Sequence, residues 1–378
     1  MKLLFLTPQL SNYGGIERTI TDKANYFVEM GHQVSIVTYE QLDRPYAYSL
    51  STKVHHTDLA NSFNLLYRYP LFKRIFKYWK MIRSFKEGFK KIVVDFCPDV
   101  IVITAPDTEH YLRSVLSVSK GIKIVIESHS TFDHHFDVNG LWCRFSYFFQ
   151  RPKEIYRKVD LVIALTNADA QCWRNFNIRN IEVVPNPVSF YCENVEDNND
   201  ITGQIIAVGR LHHGKRFDRL ILAFSLIAKK HPTWNLAIYG KGEEKEKLNG
   251  LISQLNLSNQ IRISYVTKDI MSEYMKSAFF VCSSDYEGFS LVLVEAMACG
   301  IPCVSTACPN GPLEIIEDGV NGLLSKMDSS DLANKMDWMI THEKERRKMG
   351  QNAHRFAARY KKEIVMKKWE DAYLSVTL

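Results

Sequence analysis

Glu287 and Glu295 bracket the stretch Glu287-Gly-Phe-Ser-Leu-Val-Leu-Val-Glu295, which runs on through Ala-Met-Ala-Cys-Gly-Ile-Pro302. The apolar run Phe279–Ser283 before it reads as a buried strand, and Leu291–Cys299 after it reads as a helix. Glu287 therefore belongs to a strand-to-helix turn. Gly288 lets a ligand approach the backbone there, and the following N–H groups form an anion site at the helix start. Glu295 sits among apolar helix residues, where an unpaired carboxylate is costly; it needs a partner, and a ligand hydroxyl is a good one. The plainer reading is an exposed loop charge and a solvated helix residue.

A second cluster, Gly209-Arg210-Leu-His-His-Gly214-Lys215-Arg-Phe-Asp218, follows the strand Gln204–Val208. Its spacing mimics a P-loop, but a P-loop needs Ser or Thr next to hold Mg²⁺, and Arg216 cannot do that. His212 and His213 receive no role. Gly14-Gly15-Ile-Glu17 follows the strand Leu3–Thr7 and opens the helix Ile16–Met30. A tight turn without a ligand is its bland reading. Dinucleotide binding is the rival, because Glu40 ends the second strand, but the three-glycine spacing is missing. His129, in Ile126-Glu-Ser-His129-Ser-Thr, directly follows a strand. It is either a satisfied structural residue or a group at a ligand site.

The elements that must position these residues alternate along nearly the whole chain. Leu3–Thr7, Gln33–Tyr39, Val100–Thr104, Ile122–Glu127, Leu161–Leu165 and Ile181–Val184 are continuously apolar, as strands buried on both faces must be. The helix Ile16–Met30 ends at Gly31, where a helix stop needs positive φ. Around Pro185-Asn-Pro187 and the acidic, Asn-rich 193–200 the pattern stops, which is a linker signal. It restarts with Gln204–Val208, Asn235–Tyr239, Arg262–Val266, Phe279–Ser283, Pro302–Ser305 and Gly322–Ser325. Two α/β blocks with parallel sheets follow, residues 1–187 together with the helical tail 361–378, and residues 188–360. Two Rossmann-like domains of this kind place their ligand sites in a central cleft.

Composition agrees. At 378 residues, with 46% apolar and 24% charged side chains, the chain is a globular protein of two domains rather than a disordered one. No apolar run is long enough to span a bilayer, and the opening Met1–Pro8 is too short for a signal-peptide core. Eight cysteines without a CxxC pair indicate reduced thiols in a cytoplasmic protein; Cys299, Cys303 and Cys308, with no nearby His, make a poor zinc site. Lys and Arg outnumber Asp and Glu by 24 to 18 in residues 1–185 and match them 24 to 24 thereafter, so the net +6 belongs to the first half.

Taken together these motifs resemble the glycosyltransferases of family 4, which have the GT-B fold of two facing Rossmann-like domains. The resemblance covers essentially the whole chain. It rests on Gly14-Gly-Ile-Glu17, on Gly209–Asp218, on the Glu287/Glu295 block and on Cys308-Pro-Asn-Gly-Pro-Leu-Glu-Ile-Ile-Glu-Asp-Gly-Val-Asn-Gly-Leu323. It implies that Arg210 and Lys215 clamp the donor diphosphate, where charge builds as the nucleotide leaves. Glu287 then lies near the donor sugar and Glu295 accepts from the ribose, with the N–H groups of Gly288, Phe289 and Ser290 along phosphate and sugar. Gly14 and Gly15 face the diphosphate, Glu17 and His134 lie on the acceptor side, and His129 matches the active-site His. Two departures occur. Arg216 stands where the family usually has Gly, and Pro185-Asn186-Pro187 replaces the usual Pro-Asn-Gly. The family transfers sugars with retention; no carboxylate here is an obvious covalent nucleophile, so front-face attack is expected. No Asp-x-Asp motif follows a strand, so neither a metal nor another cofactor is expected.

Residues 71–92 carry eight Lys and Arg, including Lys73, Arg74, Lys77 and Lys80, against one acid, Glu87. Phe72, Ile75, Phe76, Trp79, Ile82, Phe85 and Phe89 recur among them at helical spacing. A core helix with a solvated face is one reading; a helix lying on an anionic membrane surface is the favoured one. Nucleic acid is not expected as a partner, since no base-reading module is present. The expectation is thus a retaining, metal-independent glycosyltransferase, cytoplasmic and peripheral on the inner membrane face. It would use a UDP-linked sugar and a glycan or lipid-linked acceptor in cell-surface polysaccharide or glycolipid synthesis. The alternatives are an NAD-dependent oxidoreductase and an inactive sugar-nucleotide-binding scaffold.

Overall fold

The structure, a computed structural model, describes residues 1–104, 109–129, 152–193, 195, 203–265, 267 and 269–377. Two compact units are present, Met1–Val184 with Met366–Leu378, and Pro185–Val365. Residues 185–187 and 361–365, expected in the first domain, therefore pack with the second. Local bonds explain this: the Val188 N–H donates to the Tyr360 carbonyl at 2.8 Å, and Lys361 pairs with Glu193 at 2.8 Å. The last helix, Lys362–Ser375, begins in the second unit and ends in the first.

The first unit holds β1 (Lys2–Thr7), β2 (Gln33–Thr38), β3 (His55–Asp58), β4 (Val100–Ile103), β5 (Lys123–Ser128), β6 (Leu161–Ala164) and β7 (Ile181–Val183). They lie in the order β3-β2-β1-β4-β5-β6-β7, with every pairing parallel. Phe5 aligns with Ile36 on one side and Val102 on the other, and all three are buried. Helices cover both faces of such a sheet, which is why its strands are apolar throughout. The edge strand β3 was not expected. Its His55-His-Thr-Asp58 is polar and half exposed, as an edge strand can be.

The second unit holds β8 (Gln204–Val208), β9 (Asn235–Tyr239), β10 (Ile261–Ser264), β11 (Phe279–Cys282), β12 (Cys303–Thr306) and β13 (Gly322–Ser325). Their order is β10-β9-β8-β11-β12-β13, again all parallel. The order reverses between β8 and β11, as it does between β1 and β4 in the first unit. In open α/β sheets the crevice at such a reversal, beyond the carboxyl ends of the strands, receives the ligand.

The basic helix spans Leu71–Phe96, but its aromatic residues do not form one stripe. Phe85 and Phe89 are fully buried in the core of the first unit, stacked with ring centroids 5.4 Å apart. Phe76 and Trp79, nine and six residues before Phe85, are 74% and 66% exposed, and Ile75 is exposed too. Glu87, the one acid of residues 71–92, pairs with Arg83 at 2.9 Å. The seven cysteines among the described residues are all free thiols.

Candidate active site

Lys215 and Glu287 arrive from the two loops at the reversal point of the second sheet, after β8 and after β11. Lys215 Nζ lies 2.6 Å from Glu287 Oε1. Ser284 Oγ donates to the same oxygen at 2.7 Å, and the Cys282 thiol lies 3.6 Å from it. Glu287 is buried, whereas part of the Lys215 side chain remains exposed. Burial pulls the Lys215 ammonium down, but attraction to Glu287 outweighs it and holds the group above its ordinary pKa. The amine is therefore a cation at neutral pH.

The backbone around Lys215 is fixed by contacts that the sequence did not reveal. Ser283 Oγ donates to the Lys215 carbonyl at 2.9 Å, and the Asp285 N–H donates to the Gly214 carbonyl at 3.0 Å. Arg219 donates to Asp285 at 2.6 Å and to the Ser283 carbonyl at 2.9 Å. Arg216, at φ 49°, occupies the left-handed region where the resembling family has Gly. That conformation costs a non-glycine residue about 1–2 kcal/mol. Pairing of its guanidinium with Asp218 at 3.0 Å and with Asp285 at 3.2 Å offsets the cost. Gly240, after β9, has no room for a side chain: a Cβ there would meet the Gly209 carbonyl oxygen at 2.1 Å. Arg210 is exposed at the start of this loop, with no side-chain partner among the described residues.

At the other loop, the left-handed position falls on Ser290 (φ 69°), the residue that starts the helix Leu291–Ala298, and not on Gly288. Among the described residues the N–H groups of Gly288, Phe289 and Ser290 donate to no protein acceptor. Ser290 Oγ is buried, with no partner among the described residues. Gly311 backs this loop; a Cβ on it would meet the Phe289 carbonyl oxygen at 2.4 Å, and its N–H donates to the Glu287 carbonyl at 3.4 Å. Glu295 is buried in the helix as the sequence implied, but it finds partners within the chain: Ser189 Oγ donates at 2.9 Å and Tyr274 Oη at 3.5 Å.

In the first unit, Gly14 caps the helix Gly15–Glu29 with extended backbone (φ −121°), and Glu17 lies in its first turn. His129 follows β5 and is buried. Its Nε2 lies 2.7 Å from Glu127 Oε2, which also meets Lys23 Nζ at 2.5 Å. Tyr373 Oη donates to the other oxygen of Glu127, and Lys23 stands 3.5 Å over the Trp369 ring. Burial alone would raise the Glu127 carboxyl, yet Lys23 and His129 bring it to about 2. Lys23 was legible only as a cation on the apolar face shared by Ile20, Ala24 and Phe27, and Glu127 only as an acid ending an apolar strand. His134 lies outside the described residues.

Comparison with known proteins matches residues 13–190 to the model described as Glycosyltransferase Family 4 and residues 194–356 to that described as Glycosyl transferases group 1. The amylovoran biosynthesis glycosyltransferase AmsD of Erwinia amylovora is 28% identical over 98% of this chain and 99% of its own length. Sucrose-phosphate synthase of Thermosynechococcus elongatus superposes with a TM-score of 0.81 at 17% identity, covering 99% of this chain and 98% of that one. S. aureus TarM, solved with fondaparinux, alpha-GlcNAc-glycerol and UDP, superposes with a TM-score of 0.79 at 17% identity over 98% of this chain and 99% of that one. The two structures establish the GT-B fold, and nothing in the comparisons supports the oxidoreductase alternative. With its two sheets each matching one half of the same enzyme class, the chain belongs to the family 4 glycosyltransferases.

Proposed function

We propose that this glycosyltransferase moves a sugar from a UDP-linked donor, with retention of anomeric configuration and without a metal, onto a glycan or lipid-linked acceptor. The observation that carries the reading is the Lys215–Glu287 pair beside the unbonded N–H groups of Gly288–Ser290, at the reversal point of the second sheet. When the nucleoside diphosphate leaves, negative charge grows on its β-phosphate. A preorganised cation there lowers the barrier by about 3–4 kcal/mol. Lys215 and the exposed Arg210 supply two such cations, the charge neutralisation a divalent ion would otherwise provide. Glu287 is engaged by Lys215 and Ser284, and Glu295 by Ser189, which disfavours either as a covalent nucleophile. Front-face attack fits these residues: the acceptor oxygen bonds to the anomeric carbon on the face from which the phosphate departs, and that phosphate takes the acceptor proton.

The donor base is assigned by likeness to TarM, solved with UDP, and the pathway by likeness to an amylovoran biosynthesis enzyme. Among the described residues no helix is long and apolar enough to cross a membrane. The proposal extends to docking on the anionic inner face of the membrane, a reading supported by exposed Ile75, Phe76 and Trp79 amid Lys73, Arg74, Lys77 and Lys80. Thermal shifts with a panel of sugar nucleotides test the core reading, since a ligand at a hundred times its Kd adds about 2.7 kcal/mol of stability. UDP-sugars should stabilise the protein and release UDP when an acceptor is added. Stabilisation without UDP release on any acceptor would instead favour the inactive scaffold.

A further inference from the structure

Two thiols meet where the linker crosses the helix that carries Glu295. Cys192 Sγ lies 3.6 Å from Cys299 Sγ, although the residues are 107 apart in sequence. Cys299 ends the helix Leu291–Ala298, one turn beyond Glu295, and it belongs to the same unit as Cys192. The main chains are already joined, since the Cys192 N–H donates to the Ala298 carbonyl at 3.2 Å. On its other side the Cys192 carbonyl accepts from His354 Nε2 at 2.8 Å. A disulfide needs sulfurs about 2.05 Å apart on neighbouring backbones. These backbones are neighbours, so the gap between the sulfurs closes by side-chain rotation with little main-chain movement.

The two thiols are unequal. Cys192 is half-buried and Cys299 is buried. Burial, with Cys192 and Glu295 beside it, pushes the Cys299 thiol above its ordinary pKa. The thiolate is the attacking form, so Cys192 is the group that meets an oxidant and Cys299 the group that resolves it. Three residues before Cys192, Ser189 donates to Glu295 at 2.9 Å. A bond between Cys192 and Cys299 would fasten Ser189 against that carboxylate.

We propose that Cys192 and Cys299 form a hydroperoxide-responsive disulfide site, and that oxidation staples the linker to the Glu295 helix and weakens donor binding. The coupling to the donor rests on the glycosyltransfer reading above; the disulfide does not. The Cys192 thiolate attacks a peroxide oxygen, the O–O bond breaks, and Cys192 becomes a sulfenic acid as hydroxide departs. The Cys299 sulfur then attacks the Cys192 sulfur, the S–O bond breaks, and the oxygen leaves with the Cys299 proton as water. Two thiols thus lose two electrons and two protons, and one hydrogen peroxide becomes two waters. In the stapled form Glu295 stays committed to Ser189 and Tyr274 and is less free to accept from a ribose.

Peptide mapping and UDP titration of the full-length protein test it. After hydrogen peroxide and blocking of the remaining thiols, mass spectrometry should find the Cys192 and Cys299 peptides crosslinked. Dithiothreitol should remove the link, and Cys192→Ser should never form it; Cys192→Ala serves if the serine disturbs packing. By calorimetry the oxidised wild type should bind UDP roughly tenfold more weakly than the reduced protein, the loss of about one hydrogen bond. Dithiothreitol should restore the affinity. Cys192→Ser should bind UDP like the reduced wild type both before and after peroxide. Cys192 and Cys299 left unlinked at a peroxide excess that oxidises the exposed Cys97 would make them packed side chains only and overturn the proposal. A disulfide that forms but leaves UDP affinity unchanged overturns it too, and leaves glycosyltransfer standing. Failure of the reduced wild type to bind UDP or any sugar nucleotide overturns the functional reading itself, and the proposal with it.

Discussion

Lys215 Nζ meets Glu287 Oε1 at 2.6 Å although the two residues come from different loops, one after β8 and one after β11. The pair joins the two strand ends between which the sheet order reverses. In the proposed reaction a diphosphate arriving there would compete with Glu287 for the ammonium, and until then the carboxylate holds the cation in place. Arg219, in the helix Phe217–Ile227 that follows the first loop, bonds Asp285 in the second at 2.6 Å. The geometry thus depends on the loops acting as a unit.

Lys215→Ala and Arg210→Ala should each lower kcat at saturating donor by about a hundredfold or more, because the charge they meet develops as the diphosphate departs. Their effects on Tm should differ. Arg210 is exposed and its loss should leave Tm almost unchanged, whereas Lys215→Ala strips buried Glu287 of its cation and should cost several degrees. Near wild-type turnover in either variant would remove that residue from the clamp.

Glu295→Gln should chiefly raise the donor KM, and Glu287→Gln should chiefly lower kcat. A contact to a ribose is alike in ground and transition states, while one beside the transferring sugar need not be. Steady-state kinetics and UDP titration separate the two. Equal losses of UDP affinity with unchanged kcat would cancel the distinction.

Much of this was legible in the sequence because continuous apolar runs such as Leu161–Ala164 can only be strands buried on both faces, and their alternation with helices leaves few topologies. Lys215 and Glu287 were legible because they follow such strands directly. What hid was anything set by long-range packing. The β3 residues look like a loop until they are seen to pair with β2. Glu295 was expected to need a partner, a ligand hydroxyl being a good one, because nothing in the sequence hints that Ser189, within the linker, reaches it. Lys23 and Glu127 meet across 104 residues, and neither alone signals a buried pair. The apparent aromatic stripe of 72–89 mixed two environments, since helical spacing cannot say where a helix leaves the core.

The Lys23–Glu127–His129 cluster should govern acid stability. Glu127 is held at about 2 in the folded state against an ordinary carboxylate value of about 4.3. A folded pKa below the unfolded one means stability present above pH of about 4.3 and lost as pH falls toward 2. His129, also depressed, begins to subtract stability once pH falls below its ordinary value of about 6.5. Urea unfolding across this range should show a flatter profile for Lys23→Met/Glu127→Gln than for the wild type. Lys23→Met alone should be the least stable, by about 3–5 kcal/mol, because it leaves a buried carboxylate without its cation. An equally steep profile in the double variant would show that other groups control acid unfolding.

Turnover should survive EDTA if, as proposed, Lys215 and Arg210 carry the charge that a divalent ion would. Loss of activity restored by Mg²⁺ or Mn²⁺ would contradict metal independence.

Membrane docking should depend separately on charge and on apolar side chains, because the helix Leu71–Phe96 presents both on its undocked half. Reversing Lys73, Arg74, Lys77 and Lys80 to Glu should abolish sedimentation with vesicles rich in anionic lipid, each basic residue contributing about 1 kcal/mol near such a surface. Binding by the wild type should weaken as salt rises, since the attraction is screened over about 8 Å at physiological ionic strength. Phe76→Ser/Trp79→Ser removes two exposed rings and keeps every charge, so it should weaken binding without changing its salt dependence. Neither variant should alter turnover on a soluble acceptor, because the helix is held to its unit by Phe85, Phe89 and Val93, which are untouched. Vesicle binding indifferent to lipid charge and to both sets of changes would make this half of the helix an ordinary solvated surface.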